Sequence, residues 1–369
     1  MKLSILRQSF LTALEIGGQV CGSSNIPMAN MVKVKLKDGE IKVTSTNLDI
    51  FISKTMEIEY TGEAIEFCIE LKIIMPLLKS VKDAFIDVDI EGSRMVLKHQ
   101  KGEVEIPIHK SDTFPRYKIE GDAKEITLGA EFFVTSLKRA VKFVDKGKDA
   151  DRPPMRTVYY YLLGDHIKVA ASDGLSLCSM RMKYEGDKEV LKKEGIMIPS
   201  QAVPVLTSII PLDGDIVIKD RERNFSIAID GCSVFVAKVN GKYPKVESII
   251  PSYERKTTVN TKEFMEAVNR CALMTDKSSM ITLSISNGMI DMKGEDIDYQ
   301  TKSNEFILTS GDLDGFKVCL SATNLLSVLK EIGASNMEIK AKSSDRPVML
   351  NAEGDEDNFF LLMPMRLPS

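Results

Sequence analysis

The feature that most constrains this chain is that it repeats itself. Gly39-Glu40-Ile41-Lys42-Val43 returns as Gly164-Asp165-His166-Ile167-Lys168-Val169, and again as Gly288-Met289-Ile290-Asp291-Met292. Ile41 to Ile167 is a step of 126 positions, and Ile167 to Ile290 one of 123. Each copy is a turn residue followed by an alternating strand. Upstream of it a second element recurs. Phe10-Leu11-Thr12-Ala13-Leu14, Phe133-Val134-Thr135-Ser136-Leu137 and Phe264-Met265-Glu266-Ala267-Val268 each space apolar residues as a helix does. A third element ends short strands at Ile69, Ile198 and Leu320. Apolar residues follow at Ile74 and Leu77, Val203 and Leu206, Leu325 and Val328, which predicts an amphipathic helix entered from a strand.

Three elements in one order, at a period of about 125 residues, make a threefold internal repeat. The polar stretches Glu120-Gly121-Asp122-Ala123-Lys124 and Tyr253-Glu254-Arg255-Lys256 separate the copies, so the chain divides into domains 1–124, 125–254 and 255–369. Each domain holds two strand–helix–strands modules. The fold class expected is α+β: two amphipathic helices per domain, segregated to one face of mostly antiparallel sheets.

Composition excludes several classes. Apolar residues are 43% and charged residues 28% of 369, ordinary for globular protein. The longest apolar runs fall far short of a membrane span, and Met1-Lys2-Leu3-Ser4 opens no signal peptide. The six cysteines (Cys21, Cys68, Cys178, Cys232, Cys271, Cys319) are scattered with no Cys-x-x-Cys, which suits small core residues in a reducing cytoplasm. A net charge of −4 argues against a generally basic nucleic-acid binder but leaves room for a locally basic surface. There is no glycine-rich phosphate loop, no His-Glu-x-x-His and no nucleophile elbow. His99, His109 and His166 lie in strand-like stretches without partners at ligand spacing. Asp173 stands alone, and the acidic cluster from Glu353 to Asp357 reads as a hairpin loop. No catalytic residue, metal ligand or cofactor site is expected.

Two stretches carry alternatives. Phe359-Phe360-Leu361-Leu362-Met363, stopped by Pro364, is an apolar run where chain ends are usually polar. Either it is a last strand closing a core, or Met363 to Arg366 form one wall of a surface pocket, with methionines that repack around different partners. The predicted helix from Glu131 to Lys146 sets Phe133, Leu137, Ala140, Val141 and Val144 on one face, with Lys138, Lys142, Lys146 and Arg139 on the other. The helix after Ile69 shows Lys72, Lys79 and Lys82, the third domain contributes Lys262, Arg270 and Lys330, and the helix at 201–209 carries no base. These stripes are either solvated helix faces or a phosphate-holding surface that makes no base contacts.

The residues resemble a known family. Ala171-Ser172-Asp173-Gly174-Leu175-Ser176-Leu177 resembles the Ala-Thr-Asp-Gly-His-Arg-Leu signature of the bacterial sliding clamps. Gly241-Lys242-Tyr243-Pro244, running to Ile249-Ile250-Pro251, is similar to their Gly-x-Phe-Pro stretch. The terminal Met363-Pro364-Met365-Arg366-Leu367 matches their C-terminal motif at every position. Leu175-Ser176 replaces the usual His-Arg, Ser248 stands where arginine is common, and Pro368-Ser369 extend past the usual leucine. These departures make a rim less basic and more apolar.

The resemblance implies the β subunit of DNA polymerase III, a non-catalytic processivity factor. Three tandem clamp domains per chain would form a ring from two copies joined head to tail around double-stranded DNA, without sequence preference. It implies a pocket between the second and third domains for peptides of the polymerase III catalytic subunit, the clamp loader and other replication and repair proteins. That pocket would comprise Met155, Ser172, Gly174, Leu175, Leu177, Pro244, Ser248, Ile249, Leu361, Leu362, Met363, Pro364, Met365 and Arg366. Lys72, Lys79, Lys82, Lys138, Arg139, Lys142, Lys146 and Arg270 would face DNA. Arg94, Lys98 and Ile106 would meet Ala272, Leu273, Glu295 and Asp296 of the second copy. The rivals are an enzyme with a site at a domain junction, for which no catalytic group is in view, and a three-domain scaffold that never closes.

Overall fold

The structure is a computed structural model that describes residues 2–22, 27–60, 62–119, 121–147, 152–186, 191 and 195–366. Glu120 and the terminal Leu367, Pro368 and Ser369 lie outside the described residues. The chain forms two compact units, Met1–Val134 with Gln201–Lys238, and Thr135–Ser200 with Val239–Ser369. No helix among the described residues is long and apolar enough to cross a membrane.

The predicted helices form as α1 (Arg7–Gly18), α2 (Leu71–Ser80), α3 (Ala130–Ala140), α4 (Val203–Ile209), α5 (Thr261–Ala272) and α6 (Ala322–Leu329). Apolar residues at helical spacing explain them: α1 buries Phe10, Leu11, Ala13, Leu14 and Gly17. Side-chain caps start the last two, with Asn260 accepting from the Glu263 N–H at 3.0 Å and Ser321 from the Asn324 N–H at 3.4 Å. Three expectations need correction. The helix predicted to reach Lys146 ends at Ala140 in a 3₁₀ turn, Val141–Phe143, because the Asp145 N–H turns to the Met155 carbonyl at 2.9 Å. Lys82 lies past the end of α2, and α2 buries Leu78 more deeply than Leu77. The Gln201–Ile209 stretch opens as a 3₁₀ turn and becomes α-helical only at Val203.

Every described strand pairing is antiparallel, and the repeated glycines sit in the turns. Asp38-Gly39 (φ 52° and 77°) and Asn287-Gly288 (φ 52° and 70°) close two-residue hairpins in the left-handed region. The first unit has a four-stranded sheet, in spatial order Lys2–Leu6, Phe85–Glu91, Arg94–His99, Gly102–Pro107. Its nine-stranded sheet sets Lys124–Gly129, Asp215–Asp220, Asn224–Ile229 and Cys232–Ala237 of the middle repeat beside strands of the first. Cys232–Ala237 pairs with Ile50–Glu57 across that repeat boundary. One core joins the two sheets to α1 and α2 through residues such as Leu3, Phe10, Leu14, Val34, Ile74 and Val88. Each large side chain so buried stabilises the fold by roughly 1.5–3 kcal/mol.

The second unit repeats this plan. Its nine-stranded sheet runs Ile196–Pro199, Thr157–Leu163, His166–Ser172, Ser176–Lys183, then Phe359–Leu362, Val348–Ala352, Asn336–Ala341, Arg255–Asn260 and Ser310–Gly311. Its four-stranded sheet runs Thr301–Leu308, Met289–Asp296, Met280–Ser286, Lys317–Ser321. On the larger sheet Glu338 is 3% exposed, and its carboxylate accepts from Lys256 Nζ at 2.6 Å, Lys340 Nζ at 3.0 Å and Asn351 Nδ2 at 3.0 Å. Burial alone would raise its pKa, but those three donors hold it at about 2.

Candidate peptide-binding pocket

The second unit contains a cavity of about 310 Å³. Its lining is Met155, Ser172, Gly174, Leu175, Ser176, Leu177, Tyr243, Pro244, Val246, Ile249, Pro347, Leu361 and Met363. Strand pairing builds the floor. Leu177 lies directly opposite Leu361, and Leu361 opposite Met349, so these side chains share one face of the sheet. Leu362 points to the other face, as strand alternation requires, and is 2% exposed.

The loop over the floor is fixed by its own polar groups. Ser172 Oγ donates to the Ser176 carbonyl at 2.7 Å and accepts from the Gly174 N–H at 3.0 Å. Asp173 Oδ1 accepts from the Leu175 N–H (2.9 Å), the Ser176 N–H (2.7 Å) and Ser176 Oγ (3.0 Å). Gly174 at φ +89° takes the left-handed conformation that this turn needs. Asp173 therefore holds the loop shape, and both lining serine hydroxyls are engaged internally. The cavity offers apolar burial with little hydrogen bonding.

The opposite wall is the 3₁₀ turn Val246–Ile249. With three residues per turn, Val246 and Ile249 align on the pocket side, while Glu247 and Ser248 face elsewhere. Ser248 Oγ returns to the Lys245 carbonyl at 2.7 Å. Glu247 accepts from Tyr161 Oη at 2.7 Å and from the Lys168 ammonium at 2.8 Å. Tyr243 stacks on Tyr159 at 4.7 Å, and Tyr159 on Tyr161 at 4.9 Å. Burial pushes the phenols of Tyr243 and Tyr161 up.

The terminal segment is both strand and wall. The Met363 N–H donates to the Leu175 carbonyl, leaving Met363 44% exposed at the rim. Of the residues named from sequence, Met155, Ser172, Gly174, Leu175, Leu177, Pro244, Ile249, Leu361 and Met363 gather round this cavity. Ser248, Leu362, Pro364, Met365 and Arg366 do not line it. Ser176, Tyr243, Val246 and Pro347 were missed as lining. The 3₁₀ spacing from Ile249 could have found Val246. Pro347 has no sequence signal, being pinned by the bond from Tyr253 Oη to its carbonyl at 2.8 Å.

The basic residues divide into two groups. Lys72 pairs with Glu70 at 2.8 Å, Lys79 with Glu15 at 3.1 Å, Lys142 with Glu331 at 2.6 Å and Arg270 with Glu305 at 2.7 Å. Lys82, Lys138, Arg139 and Lys146 have no ion pair among the described residues; all are exposed except Arg139, which is half-buried.

The proposed contact residues are also split. Arg94 pairs with Glu105 at 2.7 Å and Lys98 approaches Glu103 at 4.0 Å, both on the neighbouring end strand Gly102–Pro107. Ile106 is 4% exposed and packs in its own unit's core. Asp296 is 9% exposed, its Oδ1 accepting from the N–H groups of Asp298 (2.9 Å) and Tyr299 (3.1 Å). Glu295 is exposed and Ala272 half-buried. Leu273 is 78% exposed, and Ile297, Tyr299, Phe306 and Leu308 are exposed too, the last two on the end strand Thr301–Leu308.

Known proteins match this architecture over its full length. The family model for the DNA polymerase III beta subunit, N-terminal domain, matches residues 1–118, and that for its C-terminal domain matches residues 247–366. A beta sliding clamp of Pseudomonas putida is 22% identical, covering 100% of both chains, and one of Staphylococcus epidermidis is 19% identical over 99% of both. The crystal structure of a DNA polymerase sliding clamp from Pseudomonas aeruginosa superposes with a TM-score of 0.93 at 18% identity, covering 100% of each chain. These likenesses define an α+β fold of the sliding-clamp class. The chain belongs to the family of the bacterial DNA polymerase III β subunit, the sliding clamps, which serve DNA replication as a non-catalytic processivity factor.

Proposed function

We propose that two copies of this chain close head to tail into a ring around duplex DNA, and that the pocket of the second unit tethers partner proteins by short peptides. The observation that carries the reading is the apolar cavity between Leu177, Leu361, Ile249 and Met363. Burying one leucine or phenylalanine contributes roughly 1.5–3 kcal/mol, so two anchors with some backbone bonding reach about micromolar affinity. Such affinity lets the polymerase III catalytic subunit, the clamp loader and repair proteins exchange on one pocket.

Three clamp domains, 1–124, 125–254 and 255–369, fit the sequence repeat. Head-to-tail closure is favoured by two sheet ends with unpaired backbone, Gly102–Pro107 and Thr301–Leu308, and by the exposed apolar groups beside the second. A closed ring holds DNA topologically, so Lys82, Lys138 and Lys146 need only attract phosphates weakly and let the duplex slide. The absence of a catalytic constellation in the sequence agrees with a tether, needing no cofactor and acting in the cytoplasm. Retention on nicked circular DNA but not on linear DNA, together with a dimer mass, tests the ring. Equal loss from both DNAs would sink it.

A further inference from the structure

We propose that the first unit contains a second, latent copy of the peptide pocket, plugged by the chain's own Tyr117. This rests on the reading of the second unit's cavity as a peptide site. The loops of the two units correspond residue by residue at the repeat's step of 126 positions. Ser172 Oγ bonds to the Ser176 carbonyl and the Gly174 N–H; Thr46 Oγ1 likewise donates to the Ile50 carbonyl at 2.8 Å and accepts from the Leu48 N–H at 2.8 Å. Asp173 Oδ1 accepts from the Ser176 N–H; Asn47 Oδ1 accepts from the Ile50 N–H at 2.8 Å. The Met363 N–H donates to Leu175, and the Ala237 N–H donates to Asp49, each at 2.8 Å.

The floor corresponds as well. Leu177 faces Leu361 across the strand pair in the second unit, and Phe51 faces Phe235 at the same register in the first. Over the leucines there is a cavity. Over the phenylalanines lies Tyr117, stacked on Phe235 with centroids 4.0 Å apart and edge-on to Phe51 at 5.3 Å. Tyr117 belongs to a loop that Asn224 Nδ2 ties down through the Lys118 carbonyl at 3.3 Å. At the same step Tyr117 corresponds to Tyr243, which lines the second unit's cavity and stacks aside on Tyr159, whereas the ring of Tyr117 lies on the phenylalanine floor, where a guest's apolar anchor would land, so each chain offers one tether and not two.

Tyr117→Ala should uncover the second site. Titrating a labelled peptide with a Leu-Phe anchor should give one equivalent per wild-type chain and two per variant chain. In a Met363→Asp background, which disables the first site, Tyr117→Ala should restore one equivalent. A folded Tyr117→Ala chain that still binds a single equivalent overturns the inference. If wild type binds no peptide, the reading of the second unit's pocket fails instead, and p-cresol, the tyrosine side-chain analogue, tests the first unit separately. It should raise the melting temperature of Tyr117→Ala more than that of wild type, and an equal shift in both, or none, overturns the latent site. Should the alanine variant not fold, Tyr117→Ser is titrated in its place against the same two outcomes.

Discussion

The Met365 N–H donates to the carbonyl of Cys319 at 2.8 Å, two residues after the Met363 N–H bonds to Leu175. Pro364, which has no N–H to give, lets the chain step from one sheet of the second unit to the other. Removing 363–369 would therefore take away a tie between the sheets as well as a pocket wall, and a point substitution is the cleaner probe.

Met363→Asp should leave the fold intact, because the side chain is already 44% exposed. Peptide affinity should fall at least tenfold, since about 1.4 kcal/mol is lost by placing a carboxylate against an apolar anchor. Met363→Ala should cost less, roughly 1 kcal/mol. Fluorescence anisotropy with a labelled anchor peptide reads both, and wild-type affinity in the aspartate variant would remove Met363 from the site. The engaged serines and apolar lining also make wild-type affinity nearly independent of salt.

Lys138 and Lys146 are the bases to change in testing the DNA surface. Their double alanine variant should lower the slope of log affinity against log salt by about 2, with peptide binding unchanged. An unchanged slope would place them away from DNA. Lys142→Ala should behave differently. It strips the partner from Glu331, whose side chain is only 12% exposed, and should lower the melting temperature.

Leu273→Asp tests ring closure. Leu273 is 78% exposed in the single chain, so the fold should tolerate the change. Buried against a second copy, an unpaired carboxylate costs several kcal/mol, and sedimentation should report a monomer. A dimer of unaltered mass would move the contact elsewhere.

Glu338 supplies a pH dependence. Its folded pKa of about 2 lies below the ordinary carboxylate value, so its contribution is present at neutral pH and is lost as pH falls from about 4.3 towards 2. Glu338→Gln should melt earlier than wild type at pH 7, with the gap closing in that acid window. A gap of constant size down to pH 2 would mean the ion cluster is not the cause.

Much of this was legible in the sequence because periodicity is a local property. The glycines at 39, 164 and 288 marked turns, and residues such as Phe10 and Leu14 marked a helix face. The pocket's leucines and methionine came from the resemblance of three separated motifs. What the chain hid depended on tertiary neighbours. Nothing local says that Lys142 will find Glu331, that Asp296 will cap its own loop, or that Ile106 will turn inward. Nor does the four-residue spacing of Lys138, Lys142 and Lys146 reveal that the Asp145 N–H goes to Met155 and that the helix ends early.

The sheets also decide how the molecule comes apart. The middle repeat lends four strands to each nine-stranded sheet. A chain that reads as three beads should melt as two blocks, with the middle repeat dividing between them. A fragment ending at residue 124 would bare the edge of strand Ile50–Glu57 from Ile50 to Lys54. That fragment should self-associate through the exposed edge, whereas a nick within a surface turn should leave both blocks whole.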